Sequence, residues 1–266
     1  MGALVNKHKI LESFRFGIAV SPEQRRLALE LRQALYIRKG IADDVYPARP
    51  YIPPQAFLPG SVMFIATYGE KVVGTLSLYV DSNLGLPMED VHPLEVDQMR
   101  RRFPRLVEIG SLAIDDKVRS SRLIVVLFNA IYRWCRRCDY DAAVVCVHPS
   151  SNRVYRSLLR FEVLGPLGFH SQFKNAPSLP LGVDFRTAAD SFRKRYNNDA
   201  ARMEFFSFFT DEHFEIRIPE YWTADTMQWT MEEVAYLNSL LNTGLCRDVG
   251  DNLEKLKNNS LAGSLL

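Results

Sequence analysis

Residues 106–148 read LVEIGSLAIDDKVRSSRLIVVLFNAIYRWCRRCDYDAAVVCVH, and this stretch predicts a strand, a helix and a second strand. Leu106–Ile114 and Asp141–His148 are short, mostly apolar runs, whereas Ser120–Cys138 is longer and has a helical spacing of apolar residues. Two neighbouring parallel strands need a crossover connection of a dozen or more residues, and a helix usually supplies it. The stretch therefore predicts a βαβ unit within an α/β fold.

Strands and helices alternate on both sides of this unit, without an internal repeat. Ser21 and Pro22 are typical of a helix start and Gly40 of its end. The helix between them has apolar residues at helical spacing: Leu27, Leu31, Ala34 and Leu35. Long loops are expected over 43–60 and 81–105. The remaining predicted elements are the strands Phe14–Val20, Val62–Tyr68, Lys71–Val80 and Leu179–Arg186, strand structure near Phe161–His170, and the helix Ser150–Arg160.

The composition of the 266 residues excludes several protein classes. With 47% hydrophobic and 24% charged residues, the chain can bury a core and is not expected to be disordered. Its longest strictly apolar run, Leu123–Phe128, is far shorter than the roughly 20 residues of a membrane-spanning helix. Without a recognisable secretory signal, and with too few cysteines for a disulfide framework, the chain is expected in the cytoplasm. Peripheral contact with a membrane stays open.

The character of the chain changes near residue 186. Residues 1–186 contain 25 Lys+Arg and 18 Asp+Glu, whereas residues 187–266 contain 8 and 13. The second part is also rich in aromatic residues, including an FFSFF run at 205–209 that we expect in a core, and a capping box at Thr230 and Glu233 predicts a helix there. We therefore predict one α/β domain over 1–186 and a helical C-terminal extension over 187–266 that packs on it.

One segment, Lys117–Arg160, has nine basic and two acidic residues and should attract an anionic partner. The junction between the first strand and the helix of the βαβ unit is small and polar, so backbone N–H groups there would face outward at the positive end of the helix dipole. This pattern indicates either a phosphate site or a solvated helix start; its residues are Arg119, Ser120, Ser121 and Arg122. Nucleic acid is not expected, because few aromatic residues interleave with the basic ones.

The standard catalytic and metal-binding motifs are missing from the sequence: it has no GxSxG, no HExxH and no Walker loop. Cys135 and Cys138 have CxxC spacing, but no second pair completes a zinc site. The histidines at 92, 148, 170 and 213 stand alone. We therefore expect no metal site, and the βαβ unit is the best candidate for chemistry.

Several runs resemble, in their order along the chain, the long-chain N-acyl amino acid synthases of the FeeM type. These are GNAT-fold N-acyltransferases related to the acyl-homoserine lactone synthases. The similarity covers roughly residues 12–186; its runs are LRQALY (31–36), VVGTLSL (72–78), DSNLGLPM (81–88), VEIGSLAI (107–114) and YRSLLRFE (155–162). It implies a GNAT-like mixed central sheet flanked by helices.

The resemblance also implies that a fatty acyl group passes from an acyl carrier protein to the α-amine of an amino acid. Such a reaction needs a base, a hydrogen-bond donor for the thioester carbonyl and a proton for the leaving thiolate. Glu108, whose pKa an apolar strand would raise, is the expected base, and Tyr155 is the expected acid. The backbone at Ala113, with Leu112 and Ile114, is expected to bind the acyl donor and polarise its carbonyl.

The predicted phosphate loop lacks the glycines of the R-x-x-G-x-G loop in acetyl-CoA users. A phosphopantetheine arm on an acyl carrier protein is therefore expected as the donor, with no permanently bound cofactor. The acidic carrier would meet a basic surface made of Arg133, Arg136, Arg137, Arg153 and Arg156. The loops 43–60 and 81–105 would hold the amino acid, and apolar side chains such as Leu76 would line the acyl chain. Ser111 stands where the lactone synthases have arginine, which argues against a lactone product.

Two other functions stay open at this point. One is an acyl-CoA-dependent N-acetyltransferase that acts on a small amine. The other is a non-catalytic GNAT-like module whose basic face binds a partner.

Overall fold

A mixed sheet of eight strands organises the computed structural model, which describes residues 14–42, 52–58, 60–118 and 121–200. The strands are β1 (Phe14–Ile18), β2 (Val62–Tyr68), β3 (Lys71–Val80), β4 (Leu106–Ile114), β5 (Ala142–Val147), β6 (Glu162–Val163), β7 (Gly168–His170) and β8 (Ala176–Asp184). The helices are α1 (Pro22–Arg38), α2 (Pro93–Arg102), α3 (Ser121–Arg137), α4 (Asn152–Leu158) and α5 (Ala188–Tyr196). Short 3₁₀ turns lie at Pro54–Phe57, Pro87–Asp90, Pro149–Ser151 and Ser171–Phe173.

The strand order is β1-β2-β3-β4-β5-β8-β6, and β7 pairs with β8. Every pairing is antiparallel except the one between β4 and β5, which α3 connects. This is the βαβ unit predicted over residues 106–148, and it lies at the centre of the sheet.

Alternate residues of the two central strands face opposite layers of helices. Val107 and Ile109 of β4 pack with Val145 of β5 in the main core, together with the apolar face of α3. Leu106 of β4 and Val144 of β5 face the other way, toward α2 and the turn that precedes it. The sheet therefore has an α3 face and an α2 face.

Helix α1 begins where the sequence predicts, at Ser21 and Pro22. Ser21 is the N-cap and forms a capping box with Gln24, which satisfies two backbone N–H groups. The buried face of the helix differs from the prediction, because Ala34 is exposed while Arg32 is 5% exposed. A prediction from the spacing of apolar residues cannot detect a buried arginine. The predicted buried face of α1 was therefore rotated about the helix axis relative to the observed one.

The predicted loop over 81–105 is wrong, because it contains a 3₁₀ turn and the helix α2. Val96 and Met99 bury one side of this helix, and Phe103 continues the same side. Pro93 starts the helix, and three arginines end it, at 100–102. Apolar residues recur in this segment every three to four positions, which is the pattern of an amphipathic helix. The many charged residues between them made this pattern hard to recognise in the sequence.

Other element boundaries shift by a few residues. The predicted helix Ser150–Arg160 divides into a 3₁₀ turn and α4, and the strand structure near Phe161–His170 consists of two very short strands, β6 and β7. The last strand, β8, begins three residues before the predicted Leu179 and ends at Asp184.

The first helix beyond residue 186 contacts the segment around Ser157 and Arg160. Tyr196 of α5 donates from its hydroxyl to the Ser157 carbonyl (3.1 Å), and Arg160 donates to Ser191 Oγ (3.0 Å). Phe192 and Tyr196 are both buried. The FFSFF run and the helix expected after Thr230 lie outside the described residues.

None of the helices in the described ranges combines the length and hydrophobicity needed to cross a membrane.

Candidate active site

The two central strands separate partway along their length. In the described residues, the parallel pairing of β4 and β5 runs only from Leu106↔Ala142 to Glu108↔Val144. Beyond that point β4 pairs only with β3, and β5 pairs only with β8. The backbone edges of both strands are thereby exposed to a gap at their carboxyl ends, where open α/β sheets commonly bind ligands.

A β-bulge in β4 lies beside this gap. Thr75 of β3 pairs with Ala113 and Ser77 pairs with Gly110, so one β3 residue opposes both Ser111 and Leu112. Ser111 has φ +56°, a conformation that non-glycine residues rarely adopt and that is typical of functional sites. A bulge leaves the backbone of its extra residue outside the regular ladder. Its N–H groups can therefore bind something other than a neighbouring strand.

The gap opens into a cleft with a volume of about 250 Å³. Its floor is formed by the carboxyl-terminal halves of β4 and β5, and its walls come from α1, α4 and the residues around β7 and β8. The predicted residues that line it are Leu76, Glu108, Leu112 and Tyr155. Pro53 and Pro87, from the loops expected to hold the acceptor, also line it.

Glu108 is 5% exposed and lines the cleft from β4. Its Oε2 accepts a hydrogen bond from the backbone N–H of Met88 (2.7 Å). Arg100 of α2 holds the turn that presents this N–H, because it contacts both Asp81 (2.7 Å) and Glu89. Burial raises the pKa of Glu108 to about 8; the Met88 hydrogen bond opposes this effect, and the charges of Asp90 and Glu89 add to it. Such a carboxyl can take up a proton near neutral pH.

This pKa should appear in the pH dependence of stability. Below pH 4.5 Glu108 is protonated whether the chain is folded or not, whereas between pH 4.5 and 8 only the folded form keeps the proton. The wild-type free energy of unfolding should therefore fall by on the order of 3 kcal/mol more than that of Glu108→Gln between pH 5 and pH 8. Denaturant unfolding of both proteins at several pH values measures the difference. Parallel curves would show that Glu108 ionises normally in the folded chain.

Tyr155 lies on the α3 face of the sheet, opposite Glu108. Its ring packs edge-on against Phe128 (5.3 Å between centroids) and Phe161 (5.6 Å). Burial raises the pKa of its phenol, so the hydroxyl stays protonated and can act as a proton donor. The gap thus has a carboxyl group on one side and a phenol on the other.

The other residues predicted to bind the acyl donor do not line the described part of the cleft. Ala113 is buried and pairs with Thr75, and neither Ala113 nor Ile114 is among the residues that line the described cleft. Arg119 and Ser120 lie outside the described residues. Ser121 begins α3, followed by Arg122, and this helix start adjoins the carboxyl end of β4.

The βαβ unit, the bulge and the cleft all fall within one region of sequence similarity. A family model described as "N-acyl amino acid synthase FeeM" matches residues 28–184. The chain belongs to this family. The resemblance inferred from the sequence is thereby confirmed, and the members of the FeeM family are acyltransferases.

Two solved structures support the fold of this FeeM family member. FeeM itself, described as an N-acyl amino acid synthase from uncultured soil microbes, is 22% identical with a TM-score of 0.60 over 69% of this chain and 98% of that chain. BjaI is described as a CoA-dependent acyl-homoserine lactone synthase with SAM and isopentyl-CoA. It is 18% identical with a TM-score of 0.51, over 70% of this chain and 89% of the BjaI chain. No curated protein sequence matches the chain significantly. The predicted GNAT-like mixed sheet flanked by helices is confirmed.

The arginines expected to form one basic surface fall into two separate groups. Arg153 and Arg156 are exposed on α4, beside the cleft residues Ser151 and Tyr155. Arg136 and Arg137 are exposed at the end of α3, next to the start of β5. Because α3 has 17 residues, its two ends are about 25 Å apart. Arg133, one turn before that end, is only partly exposed.

Sequence reasoning missed a set of polar residues in the cleft. Arg32 of α1 donates from Nη1 to Ser111 Oγ (2.7 Å), and the same oxygen is 2.7 Å from the Tyr79 hydroxyl. On the far wall, Ser178 Oγ is 3.1 Å from His92 Nε2. The sequence contained one indication that Arg32 is buried. It follows Ala28 and Leu29 by four and three residues, which is the spacing of a buried helix face.

The CxxC pair has no sign of special chemistry. Cys135 is buried in the core, and burial raises its thiol pKa, so the thiol stays protonated. Among the described residues, no group of three His, Cys, Asp or Glu side chains is placed to hold a metal ion.

Proposed function

We propose that this member of the FeeM family transfers a fatty acyl group from an acyl carrier protein thioester to the amine of an amino acid. The observation that carries the proposal is the gap between β4 and β5, which places a bulged strand edge beside a buried carboxyl group, Glu108. The family membership supports the reaction class. Residues 1–186 would form the acyltransferase domain, with 187–266 as an extension.

In the proposed reaction the amine nitrogen attacks the carbonyl carbon of the thioester. The new C–N bond forms, the C–S bond breaks, and the amine loses a proton. Glu108 takes this proton, directly or through one water molecule, because its raised pKa makes the carboxylate basic enough near neutral pH. The leaving thiolate takes a proton from the Tyr155 hydroxyl, which solvent then replaces. The two groups lie on different faces of the gap, so one can serve the entering amine while the other serves the departing thiolate of the tetrahedral intermediate.

The bulge would stabilise the negative charge that develops on the carbonyl oxygen. Backbone N–H groups at Ala113, Leu112 and Ile114 were predicted for this task, and Leu112 is the one that lines the cleft. A preorganised N–H donor of this kind contributes about 3–4 kcal/mol to transition-state stabilisation in other acyl transfers. We therefore assign the donor to the bulge at 111–112 rather than to Ala113, which does not line the described cleft.

The proposed carrier protein would dock on the basic residues that lie beside the cleft, Arg153 and Arg156 of α4. Charge reversal at Arg153 and Arg156 should raise the KM for an acyl carrier protein thioester about tenfold or more and weaken its salt dependence, because exposed interface charges mainly steer association. Turnover of an acyl-pantetheine without the protein should stay within about twofold, since that donor does not need the surface. Steady-state kinetics with the two donors measures both effects.

The matched control reverses Arg136 and Arg137, which lie at the far end of α3. This variant should leave both donors unaffected. If it impairs the carrier protein donor more than the Arg153/Arg156 variant does, the docking surface is at the other end of the domain.

The function itself is tested by expressing the full chain in bacteria and searching lipid extracts by mass spectrometry. New N-acyl amino acids are expected with the wild type and should form about 100-fold more slowly with Glu108→Gln. Purified protein should then use acyl carrier protein thioesters better than acyl-CoA. Turnover of acyl-CoA alone, or acylation only of amines other than amino acids, would contradict the proposal.

A further inference from the structure

Arg32 is an unusual component of the cleft, because it is a nearly buried arginine on the inner face of a helix. It lines the cleft from α1, and its guanidinium carbon lies 5.9 Å from the centroid of the Tyr36 ring. Its Nη1–H donates to Ser111 Oγ, which is itself fixed by the Tyr79 hydroxyl. The guanidinium is therefore held at the bulge, next to the proposed reaction centre.

The charges of the cleft favour an anionic ligand. Among the residues that line its described part, Arg32 and Lys39 are basic, while Glu108 is the sole carboxyl group. Because burial raises the pKa of Glu108 to about 8, only part of this carboxyl population is charged at pH 7, and that charged part is the form that acts as the base. An anion in the cleft would thus meet Arg32, which is nearly buried, and Lys39, which is exposed.

Arg32 and Glu108 are linked along one side of the cleft. Tyr79, whose hydroxyl contacts Ser111, pairs with Glu108 in the β3–β4 ladder. Between them, a Cβ atom on Gly110 would lie 3.0 Å from Tyr79 Cε2 and 3.8 Å from Glu108 Oε1. The absence of a side chain at residue 110 therefore leaves room beside Oε1, the oxygen that Met88 does not bind.

We propose that Arg32 binds the α-carboxylate of the acceptor and so selects α-amino acids over simple amines. The inference rests on the proposed function and adds the group that recognises the acceptor. In an α-amino acid one carbon separates the carboxylate from the amine, so a carboxylate held on Arg32 would direct the amine toward Glu108. A planar guanidinium binds a carboxylate through paired N–H bonds and thereby fixes its orientation as well as its position.

The selectivity follows from charge in a nearly buried place. A carboxylate brings a full negative charge to the guanidinium, whereas a neutral carboxamide brings only a partial one. Sites built around a charged or polar partner reject analogues that lack it by factors far larger than a hydrophobic pocket achieves. The interaction is remote from the reacting atoms, so its loss should appear mainly in KM for the acceptor.

The first test supplies the wild-type full chain with an acyl carrier protein thioester and two acceptor mixtures. One contains the common L-amino acids, and the other contains their carboxamides at equal concentrations. Mass spectrometry should show acylation of the acids exceeding that of the carboxamides by about 100-fold. Equal acylation of the two mixtures would overturn the role of Arg32. Failure to acylate either mixture would instead overturn the proposed function.

The second test compares Arg32→Met with Arg26→Met. Arg26 lies on the outer side of the same helix in ion pairs with Glu23 and Glu30, so its variant should keep the wild-type preference. Arg32→Met should bring acids and carboxamides to within about fivefold, with the donor KM unchanged. A retained 100-fold preference in Arg32→Met would overturn the inference.

Tyr79→Phe gives a milder second variant in case Arg32→Met does not fold. It removes only the hydroxyl that fixes Ser111, and it should raise the acceptor KM severalfold without changing the donor KM. If Tyr79→Phe alters the donor KM instead, Ser111 and Arg32 serve the donor rather than the acceptor, and the inference is wrong.

Discussion

Replacing Glu108 by glutamine is expected to lower kcat at least about 100-fold, the typical contribution of a positioned general base. Glutamine has nearly the same size and can still accept the hydrogen bond from Met88, but it cannot take a proton from the amine. The same change removes the cost of burying an ionisable group. The variant should therefore be less active and, at pH 8, more stable than the wild type.

Steady-state kinetics and thermal unfolding at pH 8 measure both parts of this prediction. Glu162→Gln, on the exposed strand β6, is the matched control and should change neither. If Glu108→Gln keeps more than about a third of the wild-type kcat, another group accepts the proton, and the assignment of Glu108 as the base is wrong.

Filling the gap between the central strands should have an effect of similar size. Leu112 lines the cleft at the bulge and is only partly buried, so tryptophan at this position should project into the space that the acyl arm would occupy. We expect kcat/KM for the donor to fall about 100-fold or more, because displacement of a reacting group by 1 Å can cost that much. Donor saturation curves for Leu112→Trp measure the loss.

Val163→Trp provides the control for an added indole ring, since Val163 is 43% exposed on β6. It should leave the kinetics unchanged, and circular dichroism should show that both variants are folded. If Leu112→Trp is folded and fully active, the donor does not pass between β4 and β5.

The βαβ unit could be predicted from the sequence because its two buried strands and amphipathic helix have distinct periods and lengths. Glu108 stood out for the same reason, as a lone carboxylate in an apolar strand. The N-cap at Ser21 also followed from local chemistry. These features depend on residues close together in the chain, and such patterns are the ones that a sequence shows directly.

The missed features depend on burial of polar residues and on contacts between distant segments. Helix α2 was hidden because arginines fill its last turn, while its buried side holds only a few apolar residues. Arg32 was overlooked because apolar spacing treats arginine as solvent-facing, although here it meets Ser111, 79 residues further along the chain. The arginines expected on one basic surface lie in two groups, because Arg137 precedes strand β5 whereas Arg153 follows it.

The most direct test is a crystal structure with an acyl-phosphopantetheine analogue in which a methylene group replaces the thioester sulfur. We predict that the arm lies between β4 and β5. Its carbonyl oxygen should be about 3 Å from a backbone N–H of the bulge at 111–112, on the side of the gap that Glu108 lines. An arm bound elsewhere on the domain, with the two strands and Glu108 untouched by it, would contradict the proposed mechanism.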